Sequence, residues 1–454
     1  MRQAPLLVLL LLTGCAAPTP TPAGVGIAPA DAPLSFGPIV DLAHAGPIAW
    51  EPAIRVTPGD RVYVTAFVGH FWRSSDGGAT FEAPSSTRCD PPLPVCAAPI
   101  ERPAGPTSGS DGAIAVDAIG TIHWAGLGNA LAGPPSIPYQ SSTDEGTTWT
   151  DPIDLANGDD ADRQWMAIAA DGTIHVIWRD SGPRTVTALR QGIEGPDRLM
   201  HTSRGLDGAW TPAQEILSSS PIPGPLVAAP DGGLYLPVAL DGVQVLRSLD
   251  GGATWDLQRV APANAQFIFP WLAADAQGVL YVAWASDEDA VVPQKSAMVP
   301  RVFLSTSHDH GATWAAPTQV SPEGHAALMP TLAAGAAGRV ALAWYEAETA
   351  LPSEHARQSW RVAVATSLDG GATFERALAT PDPIHVGAIC TSGATCIDSE
   401  RSQGDFFEIA IRPNGLPIVA FVRDLATPTA GGATHGIAVA RAESGDPLGW
   451  ASRS

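Results

Sequence analysis

The chain has 454 residues, 45% apolar and 16% charged, with a formal net charge of −21. That length fits two or three ordinary domains or one large repeat array, with ample apolar sequence for a core. The acidic balance excludes a nucleic-acid partner, because no basic stripe exists to neutralise phosphates. Its 46 glycines and 43 prolines suit tight turns and short strands rather than long helices.

In chain order the first element is an address label. Arg2 supplies a positive start, Leu6 to Leu12 an apolar run, and Leu12-Thr13-Gly14-Cys15 a cleavage site. The run is too short to span a bilayer. The segment resembles the bacterial lipobox, which implies that residues 1–15 are a signal and that Cys15 is lipidated. Residues 16–34, rich in Pro and Ala, read as a tether. The expected location is the cell envelope, at the outer membrane or extracellular face, with membrane contact through the lipid alone. Export makes disulfides the natural reading of two local cysteine pairs, Cys89 with Cys96 and Cys390 with Cys396. Metal binding is the alternative, but neither spacing is that of a zinc knuckle.

From residue 35 to the C-terminus the chain repeats itself. Seven pairs of apolar strands, each joined by a Gly-containing or polar turn, begin at Glu51, Asp111, Arg163, Gly224, Pro270, Pro330 and Asp405. Most are followed by a third strand, an eight-residue turn and a fourth strand. The turn reads SSDGGATF (from Ser74), STDEGTTW (Ser142), SLDGGATW (Ser248), SHDHGATW (Ser307) and SLDGGATF (Ser367), with a degenerate copy, SRGLDGAW, from Ser203. Four strands per unit of roughly 60 residues is the pattern of a propeller blade. The seventh unit ends at HGIAVARAE and lacks a fourth strand, whereas Ser35 to Pro47 is a fourth strand with no blade before it. The expectation is an all-β, seven-bladed β-propeller whose last blade is completed by the N-terminal strand; six blades follow if one pair is an insertion.

The SxDxGxT[WF] turn resembles the Asp box, or BNR repeat, of sialidase-like propellers, and the repeat covers nearly all of residues 35–450. Asp accepts hydrogen bonds from backbone N–H groups of its own turn, the glycine supplies positive φ, and the aromatic fills the gap between blades. Five equal copies around a ring do not converge on one substrate. Asp76, Asp144, Asp250, Asp309 and Asp369 are therefore expected to be structural.

A site is expected on the opposite, top face, at the starts of first strands and the ends of second strands. There lie Trp50, Glu51, Asp111, Arg163, Gln164, Trp271 and Asp405, and Arg179-Asp180, Asp287-Glu288-Asp289, Tyr345-Glu346 and Arg423-Asp424. The loop before the seventh pair adds Asp398, Glu400 and Arg401. Arg163, Arg179, Asp180, Arg401, Asp405, Arg423 and Asp424 are the candidate ligand-binding residues. Arginines converging on the axis would grip a carboxylate bidentately; the competing reading is an ion pair with the neighbouring Asp or blade. Calcium at Asp159-Asp160 or Asp287-Glu288-Asp289 is the one cofactor considered, against the plainer reading of solvated carboxylates.

Resemblance to sialidases implies a three-arginine clamp, a Tyr–Glu nucleophile pair and an acidic proton donor. Tyr345 and Glu346 are the pair that fits, as candidate catalytic residues. Trp50-Glu51-Pro52-Ala53 stands where the family places Arg-Ile-Pro, and no tyrosine follows Tyr345. Three functions are carried forward. The first is a lipid-anchored, monomeric propeller whose top face meets an extracellular ligand, foremost a glycan. The second is a glycoside hydrolase of exo-alpha-sialidase type, and the third is a scaffold for an envelope protein.

Overall fold

The computed structural model describes residues 32–42, 49–83, 112–128, 136–156, 161–181, 197–219, 221–262, 269–287, 298–353, 358–391, 402–428 and 434–449. Seven antiparallel sheets succeed one another along the chain and form a seven-bladed propeller. Among the described residues blade 1 has three strands, Ala53–Val56, Val62–Ala66 and His70–Ser74, and an isolated bridge from Arg73 to Glu82 at the place of the fourth. The inner strands of blades 2, 3, 5, 6 and 7 are Gly112–Val116, Ala161–Ile168, Trp271–Ala274, Ala326–Ala334 and Glu408–Ile411. In blade 4 the inner strand is split into Ile222–Pro223 and Val227–Ala228. Second strands are buried on both faces, Val340–Ala347 along its whole length. That explains their continuous apolar sequence, since each lies between two neighbouring blades.

The last blade closes as the sequence requires. Val40 pairs with Val439 and Asp41 with Ala438, while Ser35 faces Ser444. The Leu42 amide adds a bond to the Ile437 carbonyl at 2.9 Å. The N-terminal segment thus becomes the outermost strand of blade 7 before the chain enters blade 1. The seam between these blades is sewn with charge. Glu408, on the inner strand of blade 7, accepts the Ile54 amide (2.9 Å) and is ion-paired with Arg55. Arg412 grips Asp60 with two nitrogens, at 3.2 and 2.7 Å, and the Asp405 amide donates to Glu51 Oε1.

The repeated turn has one geometry five times over. Around Asp309, the Ser307 hydroxyl donates to Oδ1, the Thr313 amide donates to the same oxygen, and the Thr313 hydroxyl donates to Oδ2 at 2.6 Å. The Gly311 amide returns a bond to Ser307 Oγ. Asp76, Asp144, Asp250 and Asp369 repeat the set. Two successive residues have positive φ, and the first need not be glycine: Glu145 and His310 occupy it at 60° and 57°. The second always is. A Cβ on Gly146 would meet Phe71 at 2.3 Å, on Gly252 His201 at 2.4 Å, and on Gly371 Leu304 at 2.7 Å. Each of these is a side chain of the preceding blade, so the glycine is demanded by packing between blades as well as by φ.

Two predictions follow from the seam and the turns. Arg55→Met strands a carboxylate on Glu408, whose side chain is 1% exposed. It should cost about 3–5 kcal/mol in urea denaturation, most of it recovered in Arg55→Met/Glu408→Leu. In the turns, hydroxyl bonds from Thr254, Thr313 and Thr373, with their amides, hold Asp250, Asp309 and Asp369 down at about 2. Folded values below the unfolded ones mean stabilisation present above about pH 4 and lost as pH falls through 2. The urea midpoint should drop across that window, less steeply in the triple Asp→Asn variant.

Candidate functional site

At the top of the axis, aromatic side chains from different blades meet among the described residues. Trp165 of blade 3 packs against Phe269 and Trp271 of blade 5, each at 5.7 Å between ring centroids, and against Phe406 at the entry of blade 7 at 5.3 Å. These rings meet because Trp165 and Trp271 stand on inner strands, whose side chains point alternately to the two sides. Three residues have left-handed backbone, Glu51 (φ 55°) just before an inner strand and Arg163 (56°) and Met329 (51°) within the first half of one. Strand pairing shifts register beside two of them, between Asp162 and Trp165 and between Leu328 and Thr331. Such bulges re-aim a side chain out of the regular alternation.

Arg163 is turned in this way. Its guanidinium lies 4.9 Å from the Phe269 ring centroid and 3.9 Å from Asp405. The other candidate arginines do not join it. Arg179 makes a two-pronged pair with Asp197, at 3.2 and 2.8 Å, and Asp180 is held by Arg198 at 2.8 Å. Arg423 reaches Asp41, on the closing strand, at 3.0 Å. The expected convergence is therefore corrected: Arg179 and Arg423 are struts within their own blades, each taken by a nearby carboxylate. Asp405 is buried against the Arg163 charge. Asp424 receives two imidazoles, His385 at 3.0 Å and His435 at 3.4 Å.

Tyr345 and Glu346 do not make a pair either. Successive residues of a strand face opposite sides. Tyr345 is fully buried toward blade 7, stacked on Phe407 at 4.4 Å with its hydroxyl accepting the Val422 amide at 3.2 Å. Burial raises its pKa well above that of an ordinary phenol. Among packed apolar groups it is a blade-to-blade wedge, which corrects the nucleophile reading. Glu346 points the other way, toward blade 5. It accepts Trp344 Nε1 at 2.9 Å and Arg376 Nε at 3.1 Å, and lies 3.1 Å from His325 Nδ1. Glu346, His325 and Arg376 line, with Arg361, Glu348 and Leu378, a cleft of about 360 Å³. Arg361 closes one side of it on Glu348 at 3.0 Å.

Cys15, Cys89, Cys96, Cys396 and Arg401 lie outside the described residues, as do Asp111, Asp159, Asp160, Glu288, Asp289, Asp398 and Glu400. Cys390 and Asp287 are described; Asp287 accepts the Val299 amide and pairs with Arg301. Sequence reasoning passed over His325, His385, His435, Arg361 and Arg376. The signal available was weak: His385 and His435 each border an apolar strand, at the same register as the rim residues that were singled out.

No protein-family model matches the chain, and no curated protein does. Among solved structures, the fold is similar to that of a protein of unknown function from Dyadobacter fermentans. That match has 13% identity and a TM-score of 0.50, over 90% of this chain and 98% of the other. Hadza microbial sialidase Hz136 is similar at 15% identity and TM-score 0.46, over 73% of this chain and 65% of its own. The NanB sialidase from Streptococcus pneumoniae is similar at 10% identity and TM-score 0.44, over 89% and 70%. At these identities the likeness is one of fold.

The strut assignment has a direct consequence. Removing Arg179 deletes two charge-assisted bonds, so Arg179→Ala should lower unfolding free energy by about 1.5–3 kcal/mol, read by urea denaturation. Arg179→Lys keeps the charge but not the planar fork, and should recover only part of that loss.

Proposed function

We propose that this protein is a lipid-anchored, extracytoplasmic binding propeller that presents its top face to a neutral glycan and does not hydrolyse it. The observation that carries the reading is the state of its cations: Arg179 and Arg423 pair with Asp197 and Asp41 at 2.8 and 3.0 Å, and Arg163 lies between Asp162 and Asp405 at 3.8 and 3.9 Å. A carboxylated sugar would have to compete with an internal carboxylate for each of them. The net charge of −21 opposes an anionic ligand at long range as well. What the top of blade 1 offers instead is Trp50, partly exposed, edge-on to Phe67 at 5.7 Å and beside the buried carboxylate of Glu51. An aromatic face flanked by a hydrogen-bond acceptor suits the apolar face and hydroxyls of a sugar.

Chain direction supports the orientation. Third strands run from the top face to the face carrying the repeated turns, and Ser35 pairs with Ser444 at the far end of one. The N-terminal segment therefore joins the ring on the side of those turns. An anchor at Cys15 leaves the top face pointing away from the membrane. The Cys390–Cys396 staple belongs to the same reading, supported by the buried, bonded state of Cys390.

The test is a glycan array probed with the detergent-solubilised protein, alongside a fluorogenic sialoside assay. Binding to neutral glycans should weaken about 3- to 10-fold in Trp50→Ala, the worth of one aromatic contact. Turnover of the sialoside by the wild-type protein, abolished by Glu346→Gln, would overturn the reading.

A further inference from the structure

At the top of the seam between blades 6 and 7, three side chains aim at one point. Asp424 ends the second strand of blade 7, Pro417–Asp424, and His435 starts the third, His435–Ser444, directly opposite it in the ladder. Side chains of directly opposed residues share a face. The third comes from the outermost strand of blade 6, His385–Gly387. That strand is locked to blade 7 by the Asp424 amide, which donates to the Ile384 carbonyl at 2.7 Å. His385 Nδ1 lies 3.0 and 3.1 Å from the two Asp424 oxygens, and His435 Nε2 lies 3.4 Å from Oδ1. All three ligand atoms fall within 4.8 Å of one another.

The other ring nitrogens reveal what the arrangement suits. Both nitrogens of His385 face acceptors, Nδ1 the Asp424 carboxylate and Nε2 the Ala388 carbonyl at 3.3 Å, so a neutral ring, with one N–H, satisfies only one of them. A cation bound at Nδ1 would leave the single proton on Nε2 for the carbonyl. On His435 the outward nitrogen, Nδ1, is 2.9 Å from Thr434 Oγ1, which leaves Nε2 turned toward the same oxygen. Two imidazole nitrogens held against one carboxylate need a proton or a metal cation between them, and a metal ion serves both rings at once. An imidazole whose far nitrogen is fixed by a backbone carbonyl or side-chain oxygen is the usual setting of a metal ligand.

We propose that His385, Asp424 and His435 bind one borderline first-row divalent cation, with zinc as the probe. Two imidazoles and one carboxylate suit zinc, whereas calcium takes six to eight oxygens. Metal–ligand distances of about 2.0–2.2 Å require the three groups to draw in only slightly around a shared ion. Three protein ligands leave a fourth position. The Asp424 side chain is 42% exposed, so that position opens to solvent on the top face. Ser402 Oγ, 3.5 Å from both nitrogens of His385, packs on its ring and fixes its tilt.

The experiment is zinc competition against a chromophoric chelator, using detergent-solubilised protein previously stripped with a chelator. One equivalent of zinc is expected, with a ligand-field spectrum of tetrahedral nitrogen–oxygen type when cobalt replaces it. His385→Ala, His435→Ala and Asp424→Asn should each lower affinity by at least about 10- to 100-fold. His310→Ala, on the opposite face against Asp231 at 2.5 Å, should leave it unchanged. If a ligand variant fails to fold, the wild-type cobalt spectrum and a zinc-induced rise in Tm decide the matter. Sub-stoichiometric zinc, an all-oxygen octahedral cobalt spectrum, or affinity untouched in a folded ligand variant would overturn the proposal; the cluster would then be a proton-bridged hydrogen-bond network.

Discussion

The ring depends on the N-terminal strand being held in the last blade. Val40 against Val439 fixes which end of the chain lies outermost in blade 7. Once that pairing exists, the chain crosses directly to the inner strand of blade 1, and the first and last blades must meet. Their meeting is the place in the ring where sequence-distant segments have to find one another, and it carries the buried Arg55–Glu408 pair. A buried ion pair is weak evidence of net stability but strong evidence of register, because a slipped seam would strand both charges. Charge at the seam thus specifies closure where apolar packing alone would tolerate a shift.

Elsewhere the same task falls to the repeated turn. Its aspartate satisfies the turn's own donors, and its second glycine admits a side chain of the preceding blade. The turn is a blade-to-blade joint as much as a hairpin. Blade 3 shows what happens without it. There Arg204 bonds the Gly208 carbonyl and packs over the Tyr139 ring of blade 2 at 5.7 Å. A long side chain replaces the small-residue contact, and the joint survives a change in its chemistry.

This explains what was legible in the sequence. Blade number, strand order and closure follow from patterns that recur, because each blade solves the same packing problem. The structural role of Asp250 or Asp309 was legible for the same reason. The rim was not. Arg179 and Arg423 look alike in sequence, both before Asp at the end of a second strand, yet Arg179 takes Asp197 and Arg423 takes Asp41. Those partners lie across a loop or at the other end of the chain, where no local period reports them. Tyr345 was misread through its position beside Glu346: alternation along the strand sends one into the seam and the other into the cleft. His385 and His435 escaped notice because 50 residues separate them and only the meeting of two blades joins them.

The distribution of charge finally separates the two ends of the axis from its margins. Near the centre, Arg163 lies over the Phe269 face with Asp405 at 3.9 Å, Arg55 pairs with Glu408, and four aromatic rings occupy the space between inner strands. A ligand entering there would have to break pairs whose separation leaves charge in a low-dielectric environment. At the margin, the Asp424 cluster is partly exposed and needs no such rupture. Access for any ligand would therefore cost least at the edges of the top face, over the seams between blades. Those are also the positions where residues from two blades meet, and where a change in one loop alters chemistry without disturbing the ring.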